Sequence, residues 1–521
     1  MRLGTLDLVV LAAYLASAVV VGLYVSRRTR GLEAYLLGDR DLAWWAILGS
    51  IVATETSTVT VLSVPGKAYG PDGLRFLQLA IGYFVGRCVI VWLLLPLYFQ
   101  GRLLTAYQVL DRRFGAATKR AASLLFLICR NLGDGLRLFL AALVLQKLTG
   151  WELAPSVMLM GLVTIVYTFF GGMRSVVFND CVQLVVYLLG AVAAALVIAG
   201  QLPGGTTELL EFAHAHDKWR LFDFRLRLDA PYTFWAGLLG GAVLTLGTHG
   251  TDHMMVQRYL SARSQADAGK ALIASGAVVL AQFALFLFLG VELAAYYAHQ
   301  PEVTSQWAEL ARQQRWTTDD VFAHFIVYHF PQGTGLVGLM LAAILAAAMS
   351  TLSSSLNASA AALVHDFYLP WRKTQPAPHR LLWQTRWLTV AFGGVQMGIA
   401  LLARQLDKAV VDSALTIAGF SAAALLGVFL LGLSCRQADQ AAAIGGGLCG
   451  LAALGWLHFV APHVPLPGLP EGLHVAWPWY ALLGASVTWL AGLAIAAIRR
   501  AGTPRREASP GPFPTLPGGS Q

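Results

Sequence analysis

The sequence has 521 residues, of which 57% are hydrophobic and only 12% are charged, and its mean hydropathy is +0.61. A soluble domain carries roughly 25% charged residues, so this composition excludes a soluble protein and indicates a chain that lies in a lipid bilayer. The formal net charge of +9 does not indicate nucleic-acid binding, because the basic residues occur in short runs between apolar stretches.

Apolar stretches of about 20 residues, the length that spans a bilayer, recur along the chain. The first stretch is too long for a signal peptide and is followed, not preceded, by its basic cluster, so we interpret it as a retained helix. We predict an all-α polytopic membrane protein of about 13 transmembrane helices, at 6–25, 43–64, 74–100, 119–147, 153–170, 175–200, 232–257, 269–298, 333–364, 379–403, 409–434, 440–461 and 475–498.

The basic residues predict the orientation of these helices. With the N-terminus outside, the inner loops hold most of the arginines and lysines, as the positive-inside rule requires, and the C-terminus is cytoplasmic. We therefore expect a multi-pass protein of the plasma membrane, or of the inner membrane in a Gram-negative cell. We expect residues 1–500 to form a single transmembrane domain and residues 501–521, rich in Pro, Gly and Ser, to form a disordered tail.

Polar residues interrupt two of the predicted helices. The second helix contains a run of Thr and Ser with one carboxylate at 53–58, and the seventh contains glycines, threonines and histidines at 247–253. Transporters built from inverted repeats bind solute and ion where helices at corresponding positions of both halves are broken. The two interruptions are five helices apart, as an inverted five-helix repeat predicts. Alternatively, single Ser and Thr side chains bond to the carbonyl one turn back.

Glu55 is the carboxylate in the first interruption. A carboxylate within a membrane helix is costly and normally faces a cavity, an ion or a partner. Its alternative interpretation is a buried structural ion pair with an intramembrane arginine such as Arg87.

The ninth predicted helix carries small and hydroxylated residues on one face. Ala347, Ser350, Thr351 and Ser354 follow each other at helical spacing. Their hydroxyl groups, together with carbonyls freed by a broken helix, suit a hard monovalent cation. A face of small residues for helix packing is the alternative.

These segments together resemble the sodium:solute symporter family, from about residue 6 to 434. The resemblance depends on four motifs in the right order. They are Gly38-Asp39-Arg40 with the stretch Ala53–Gly66, then Gly171–Arg174 with Asp180 and Gln183, then Thr251–Leu260, and finally Ala346–Tyr368.

The resemblance implies a leucine-transporter-like core of ten helices in two inverted repeats, at about 43–200 and 232–434, with extra helices before and after. It implies a sodium site whose ligands match Ala53, Thr56, Ala347, Ser350 and Thr351. Asp180 matches an acidic residue of the ion path, although it is also a possible partner of Arg174.

The solute site is less well defined. Thr60, Thr245, Thr248 and His249 stand where the sugar-transporting branch has amide and aromatic residues, so a sugar is disfavoured. Arginines at membrane depth suit carboxylate recognition, although Arg130, Asp134 and Arg137 are also spaced to pair internally. We predict solute binding by Glu55, Ser57, Thr60, Arg87, Thr248, His249 and Asp252.

The sequence thus predicts a secondary symporter, not an enzyme, that imports a small organic solute with Na⁺ as the coupling ion. A carboxylate-bearing solute is favoured. Its expected partners are that solute, sodium and the bilayer, with no nucleic acid and no obligatory protein partner. Two alternatives remain, a proton-coupled symporter on the same scaffold and a solute-binding membrane sensor without transport.

Overall fold

A computed structural model describes residues 3–27, 29, 31–313, 316–374, 376–406, 408–465 and 472–501. Apart from Ala501, the predicted disordered tail lies outside the described residues. Within these residues the chain is helical apart from turns, loops and one bridge between Leu42 and Ala262, which confirms the all-α prediction.

The helices in chain order are α1 (Thr5–Ser26), α2 (Leu32–Leu37), α3 (Trp44–Glu55), α4 (Thr58–Tyr69), α5 (Leu77–Leu93), α6 (Leu95–Tyr98), α7 (Gln108–Phe114), α8 (Ala116–Thr149), α9 (Leu153–Gln201), α10 (Gly205–Ala215), α11 (Gly241–Gly250), α12 (His253–Leu260), α13 (Gln265–Ala298), α14 (Pro301–Arg312), α15 (Asp320–Tyr328), α16 (Leu336–Ala362), α17 (Leu369–Trp371), α18 (Pro378–Leu402), α19 (Lys408–Ser434), α20 (Gln440–Phe459) and α21 (Pro478–Ala501). Two π-helical turns, Ala236–Gly240 and Leu363–Tyr368, precede α11 and follow α16.

Most predicted transmembrane segments coincide with one helix or with consecutive helices, and the segments 153–170 and 175–200 lie together in α9. Among the described residues, seven helices are long and apolar enough to cross a bilayer unaided, and the bent pair α3 and α4 makes an eighth. The remaining segments are built from shorter helices or, like the 34-residue α8, carry more charged residues, so the number of thirteen crossings stays a prediction.

Both predicted interruptions are breaks between helices. The first separates α3 from α4 at Thr56 and Ser57, and the helix axis bends by 64° there. The second separates α11 from α12 at Thr251 and Asp252. Each new helix starts with a side-chain cap. Ser57 Oγ accepts from the Thr60 backbone N–H and Asp252 Oδ1 from that of Met254, which satisfies donors left free at a helix N-terminus.

A third break lies inside α9, between the predicted helices 153–170 and 175–200. Gly172 has φ 55° and ψ −148°, which is non-helical and suits only glycine. A Cβ atom at this position would collide with the backbone oxygen of Tyr35. The chain therefore kinks at Gly172 while residues on both sides remain helical.

The helix α16 lies at the centre of the bundle. Nearly all of its side chains are buried, and it packs against α9, α8, α1, α18 and α3. Small residues permit this close packing, as where Gly190 of α9 faces Ala343. The central position of α16 brings its hydroxylated face against the break between α3 and α4.

Candidate sodium and solute site

A cavity of about 350 Å³ lies where the two broken helices meet α5, α8, α13 and α16. Its lining combines polar side chains with aromatic and aliphatic ones, as in many small-molecule sites. The lining residues are Thr54, Glu55, Ser57, Thr60, Val64, Phe76, Tyr83, Arg130, Arg137, Leu244, Thr245, Thr248, His249, Met254, Met255, Phe283 and Thr351.

Glu55 enters the cavity from the end of α3 and is bonded to Arg87 behind it. The Arg87 guanidinium is fully buried and donates to Glu55 Oε2 and, at 3.1 Å, to Ser275 Oγ. His249 Nε2 lies 3.6 Å from the same Glu55 oxygen, and its Nδ1 is 3.0 Å from Thr248 Oγ1. The carboxylate thus faces the cavity, whereas the arginine lies in the wall.

Two arginines of α8 supply positive charge to the cavity. Arg130 Nε donates to Asp134 at 2.6 Å, and Arg137 Nη1 donates to the same carboxylate at 2.7 Å. Arg130 also lies 3.6 Å from Asp252. Arg137 has no second acidic partner among the described residues, and 41% of its side chain is exposed. Its guanidinium is therefore the accessible cationic group of the cavity.

The hydroxyl groups of α16 meet α3 just before its break. Thr351 Oγ1 donates to the backbone oxygen of Thr54 at 3.2 Å and borders the cavity. Ser350 Oγ donates to Asp180 Oδ1 at 2.7 Å and lies 3.5 Å from Thr54 Oγ1. A small void of about 20 Å³, lined in part by Ser57, Thr58, Ala347 and Thr351, separates the break from α16.

The break also leaves backbone oxygens free. The Thr60 N–H, which would reach the Thr56 oxygen in a continuous helix, bonds to Ser57 Oγ instead. Likewise, the described backbone bonds around the break include none to the Ala53 oxygen. These oxygens, with the hydroxyl groups of Ser350 and Thr351, form a neutral oxygen set of the kind that a hard cation prefers. The donor types at the break and on α16 thus suit sodium, and its assignment to Ala53, Thr56, Ala347, Ser350 and Thr351 stays a prediction.

Thr56 is held by its hydroxyl group. Its Oγ1 donates to the Val52 oxygen at 2.9 Å and accepts from Gln282 Nε2 at 2.6 Å and from Tyr187. The side chain is thereby fixed on α9 and α13, which leaves its backbone oxygen as the group available at the break.

Asp180 lies behind the α3 and α16 hydroxyl groups, fully buried. Its cationic partner is Arg258 of α12, whose Nη2 lies 3.3 Å from Oδ2. Arg174, the partner considered from sequence, bonds instead to the Gly38 oxygen at 3.2 Å. Arg258 also donates to Ser50, Thr54 and Ser354, so one buried guanidinium links α12 to α3 and α16.

The structure brings most of the predicted solute residues to one cavity. Five border it, namely Glu55, Ser57, Thr60, Thr248 and His249. Arg87 and Asp252 do not border it and lie behind Glu55 and Arg130 respectively. Arg130 and Arg137, named in the sequence but not assigned to the site, do line the cavity. Sequence analysis missed Arg258, because its basic side chain follows an apolar segment and was counted as an inner-loop charge.

Comparison with known proteins gives the family. The model of the "Sodium:solute symporter family" matches residues 35–450. The chain belongs to the sodium:solute symporter family. It is 30% identical over 458 residues to the human sodium/iodide cotransporter, covering 85% of this chain and 69% of that protein. It is 28% identical to the sodium/sialic acid symporter NanT of Aliivibrio fischeri, covering 87% of this chain and 88% of that protein.

The fold of this symporter agrees with solved structures. A Na⁺-coupled sialic acid symporter in a substrate-bound, outward-open state matches 95% of this chain and 98% of its own, with a TM-score of 0.83 and 24% identity. A nucleobase-cation-symport transporter in a closed, ligand-bound conformation matches with a TM-score of 0.55 and 11% identity. The leucine-transporter-like fold is thus confirmed, and the chain is a transporter rather than an enzyme. Membership of the family makes Na⁺ its coupling ion.

Proposed function

We propose that this symporter imports a small carboxylate-bearing solute together with sodium across the plasma membrane, by alternating access. The observation that carries the proposal is the position of Arg137. Its accessible guanidinium lines the same cavity as Thr351 and the broken end of α3, where the oxygens suited to sodium lie. Solute and ion are thereby close enough to influence each other.

The proposed sodium ligands are the backbone oxygens of Ala53, Thr56 and Ala347 and the hydroxyl groups of Ser350 and Thr351. Sodium held there supplies a positive charge beside the cavity and a bond between the two repeats. Thr351 already contacts the Thr54 oxygen, so α16 and α3 are positioned to share a ligand. Asp180 and Arg258 hold Ser350 and Thr54 in place through the bonds described above.

The proposed carboxylate anchor is Arg137, supported by Arg130. An arginine fork matches the two oxygens of a carboxylate and donates charge-assisted bonds that are roughly twice as strong as neutral ones. Because Asp134 engages only one nitrogen of Arg137, the remaining donors are available for solute. Glu55, Thr60 and His249, elsewhere on the cavity lining, would accept or donate bonds to other polar groups of that solute.

Coupling follows from the shared elements. Residues of the α3 and α4 break border the cavity and also provide the sodium oxygens, so each ligand stabilises the same arrangement of that break. This is a reciprocal linkage between two sites. The membrane potential adds about 2.3 kcal/mol per elementary charge for each 100 mV.

The ion pairs favour sodium over proton coupling. Glu55 is paired with Arg87, and Asp180 with Arg258. A carboxylate held by a buried guanidinium releases and takes up protons less readily than an isolated one. The two residues on which a proton-coupled mechanism would depend are therefore both paired with a buried arginine.

The orientation is part of the same proposal. The N-terminus lies outside, the C-terminus is cytoplasmic, and the two repeats at 43–200 and 232–434 belong to one transporter domain of residues 1–500. With this orientation, the segments 203–231 and 299–332 lie on the outer side of the membrane.

A ligand panel tests the proposal. Purified protein is screened by thermal stability in NaCl and in KCl against monocarboxylates, amino acids, sugars and neutral vitamins, and each hit is tested for uptake into proteoliposomes. We expect a carboxylate to stabilise the protein in sodium and to accumulate along a sodium gradient. A neutral sugar as the sole hit, or uptake that is equal in potassium, would contradict it.

A further inference from the structure

A second polar cluster lies around the first turns of α8. This is the opposite end of that helix from the segments that we propose to lie outside. Lys147, near the last turn of α8, pairs with Asp320 of α15, whereas Lys119 lies in the first turns, near the π-helical turn Leu363–Tyr368. This cluster is separate from the sodium and solute site described above. Under the proposed orientation it lies on the inner side of the cavity.

Asp366, in that π-helical turn, is the charged centre of the cluster. The residue is fully buried. Its Oδ1 accepts from Thr105 Oγ1 at 2.9 Å, and its Oδ2 has no hydrogen-bond partner among the described residues. No cationic nitrogen of the described residues lies within 4.0 Å of it. A buried carboxylate oxygen without a partner is costly, so this site is suited to a ligand.

Other buried polar atoms around Asp366 also lack partners. Ser123 of α8 lies beside the Asp366 carboxylate, but its Oγ makes no hydrogen bond of ordinary length and angle. Three further atoms are buried and have no hydrogen-bond partner among the described residues, namely the Tyr107 hydroxyl and the Nε2 atoms of His253 and His365. His253 and Tyr107 are neighbours, with ring centroids 6.1 Å apart. Buried polar groups are rarely left unsatisfied, and several in one place indicate a bound ion or ordered water.

The local charges sum to a negative value. Lys119 Nζ forms an ion pair with Asp111 at 2.6 Å and attracts the Asp366 carboxylate electrostatically from a longer distance. A single ammonium group therefore faces two carboxylates. Arg112 and Arg113 of α7 point elsewhere, to the backbone oxygens of Gln100 and of α19 and the loop after it. One negative charge therefore remains, and a monovalent cation would balance it.

The position of the cluster relates it to transport. His253 begins α12, and the next two residues, Met254 and Met255, line the solute cavity. The cluster is thus separated from the cavity by the first turn of α12, which is the inner half of the second broken helix. An ion that leaves the cavity toward the inner side would pass it.

We propose that Asp366 Oδ2 and Ser123 Oγ form a second monovalent-cation site, completed by water held on Tyr107, His253 and His365, through which sodium is released. Oxygen ligands and a single net negative charge suit sodium. The binding site stands on the contacts above, whereas its role in release rests on the proposed sodium symport.

Equilibrium binding of radioactive ²²Na⁺ to the full-length protein in lipid nanodiscs tests this site. We expect Asp366→Asn to bind one sodium ion fewer per chain than wild type, and Ser350→Ala/Thr351→Ala to lose a different ion. The variant that combines all three changes should bind two sodium ions fewer per chain than wild type. The matched control Asp229→Asn, an exposed carboxylate paired with Arg227 in an outer segment, retains the wild-type stoichiometry.

Unchanged stoichiometry and affinity in Asp366→Asn would overturn the second site, while loss in Ser350→Ala/Thr351→Ala alone would leave the proposed function intact. Conversely, loss confined to Asp366→Asn would support the second site and contradict the proposed coupling site. Should Asp366→Asn fail to fold, Ser123→Ala decides. It removes one oxygen ligand, so we expect sodium binding at the second site to weaken about tenfold, and unchanged affinity overturns the proposal.

Discussion

Arg258 Nη2 lies 3.3 Å from Asp180 Oδ2, and both side chains are buried in the centre of the bundle. Breaking a buried pair by removing one partner costs about 3–5 kcal/mol, because the other charge remains without compensation. Arg258→Met should therefore lower the thermal midpoint strongly. Asp180→Asn/Arg258→Met should recover part of that loss. Midpoints of the single and double variants, measured in one detergent, check this. A single variant as stable as wild type would contradict the role of the pair.

Arg137 provides the test of carboxylate recognition. Replacing it by Gln leaves a shorter polar side chain and removes the charge, and a lost bond between charged groups is worth about 1.5–3 kcal/mol. We expect the KM for the transported solute to rise by about tenfold to a hundredfold. The matched control is Arg312→Gln, because Arg312 is exposed on α14 and pairs only with Glu309 among the described residues. Equal effects of both changes on KM would refute the assignment.

Lys218 caps the C-terminal end of α4. Its Nζ donates to the backbone oxygens of Ala68 at 3.2 Å, Tyr69 at 2.7 Å and Gly70 at 2.5 Å, which are among the unpaired carbonyls at a helix C-terminus. Lys218→Met should destabilise the protein by about 1–3 kcal/mol, since buried carbonyls lose their donor.

Lys147→Met is the control for this prediction, since Lys147 is 61% exposed and forms one surface ion pair with Asp320. Such pairs contribute about 0–1 kcal/mol. The thermal midpoint of each variant against wild type is the measurement. A larger loss in Lys147→Met than in Lys218→Met would show that the carbonyl cap is unimportant.

The environment of His324, in α15, predicts that the protein loses stability in acid. Burial and the neighbouring His329 lower its pKa to about 4, and its Nδ1 lies 2.8 Å from the Tyr297 hydroxyl. An unfolded chain, with a histidine pKa of about 6.5, binds more protons than the folded chain between that pH and 4. The stabilisation is therefore complete above pH 6.5 and is lost as the pH falls toward 4.

The comparison of thermal midpoints at pH 7.5 and pH 5 checks this. His324→Gln cannot take up the proton, so the difference between the two pH values should be smaller in this variant than in wild type. A pH dependence that is identical in the two proteins would assign it to other groups, such as His329, whose pKa burial also lowers.

The sequence predicted the breaks well because their signal is local. Thr, Ser and Gly within an apolar run disfavour a helix at that point, and both breaks fall inside the predicted stretches. The partners of the charged residues were harder to predict from the sequence. Asp180 and Arg258 are 78 positions apart and meet only through the packing of α9 against α3, α16 and α12.

The face on which a residue lies was also hard to predict. Arg87 and Glu55 were both expected at the solute, yet α5 presents Arg87 to the wall and only the carboxylate borders the cavity. Rotation of a helix about its axis depends on its neighbours, since an apolar transmembrane segment is hydrophobic on every side and carries little periodic signal.

Sodium coupling is the central claim, and its most direct test is the thermal midpoint of the purified protein in NaCl and in KCl. An ion bound only by the folded state adds about 2.7 kcal/mol at a hundred times its dissociation constant. We predict that sodium stabilises wild type more than Ser350→Ala/Thr351→Ala, which lacks this site, while both proteins behave alike in potassium. Equal stabilisation of the two proteins by sodium would contradict the site between the α3 break and α16.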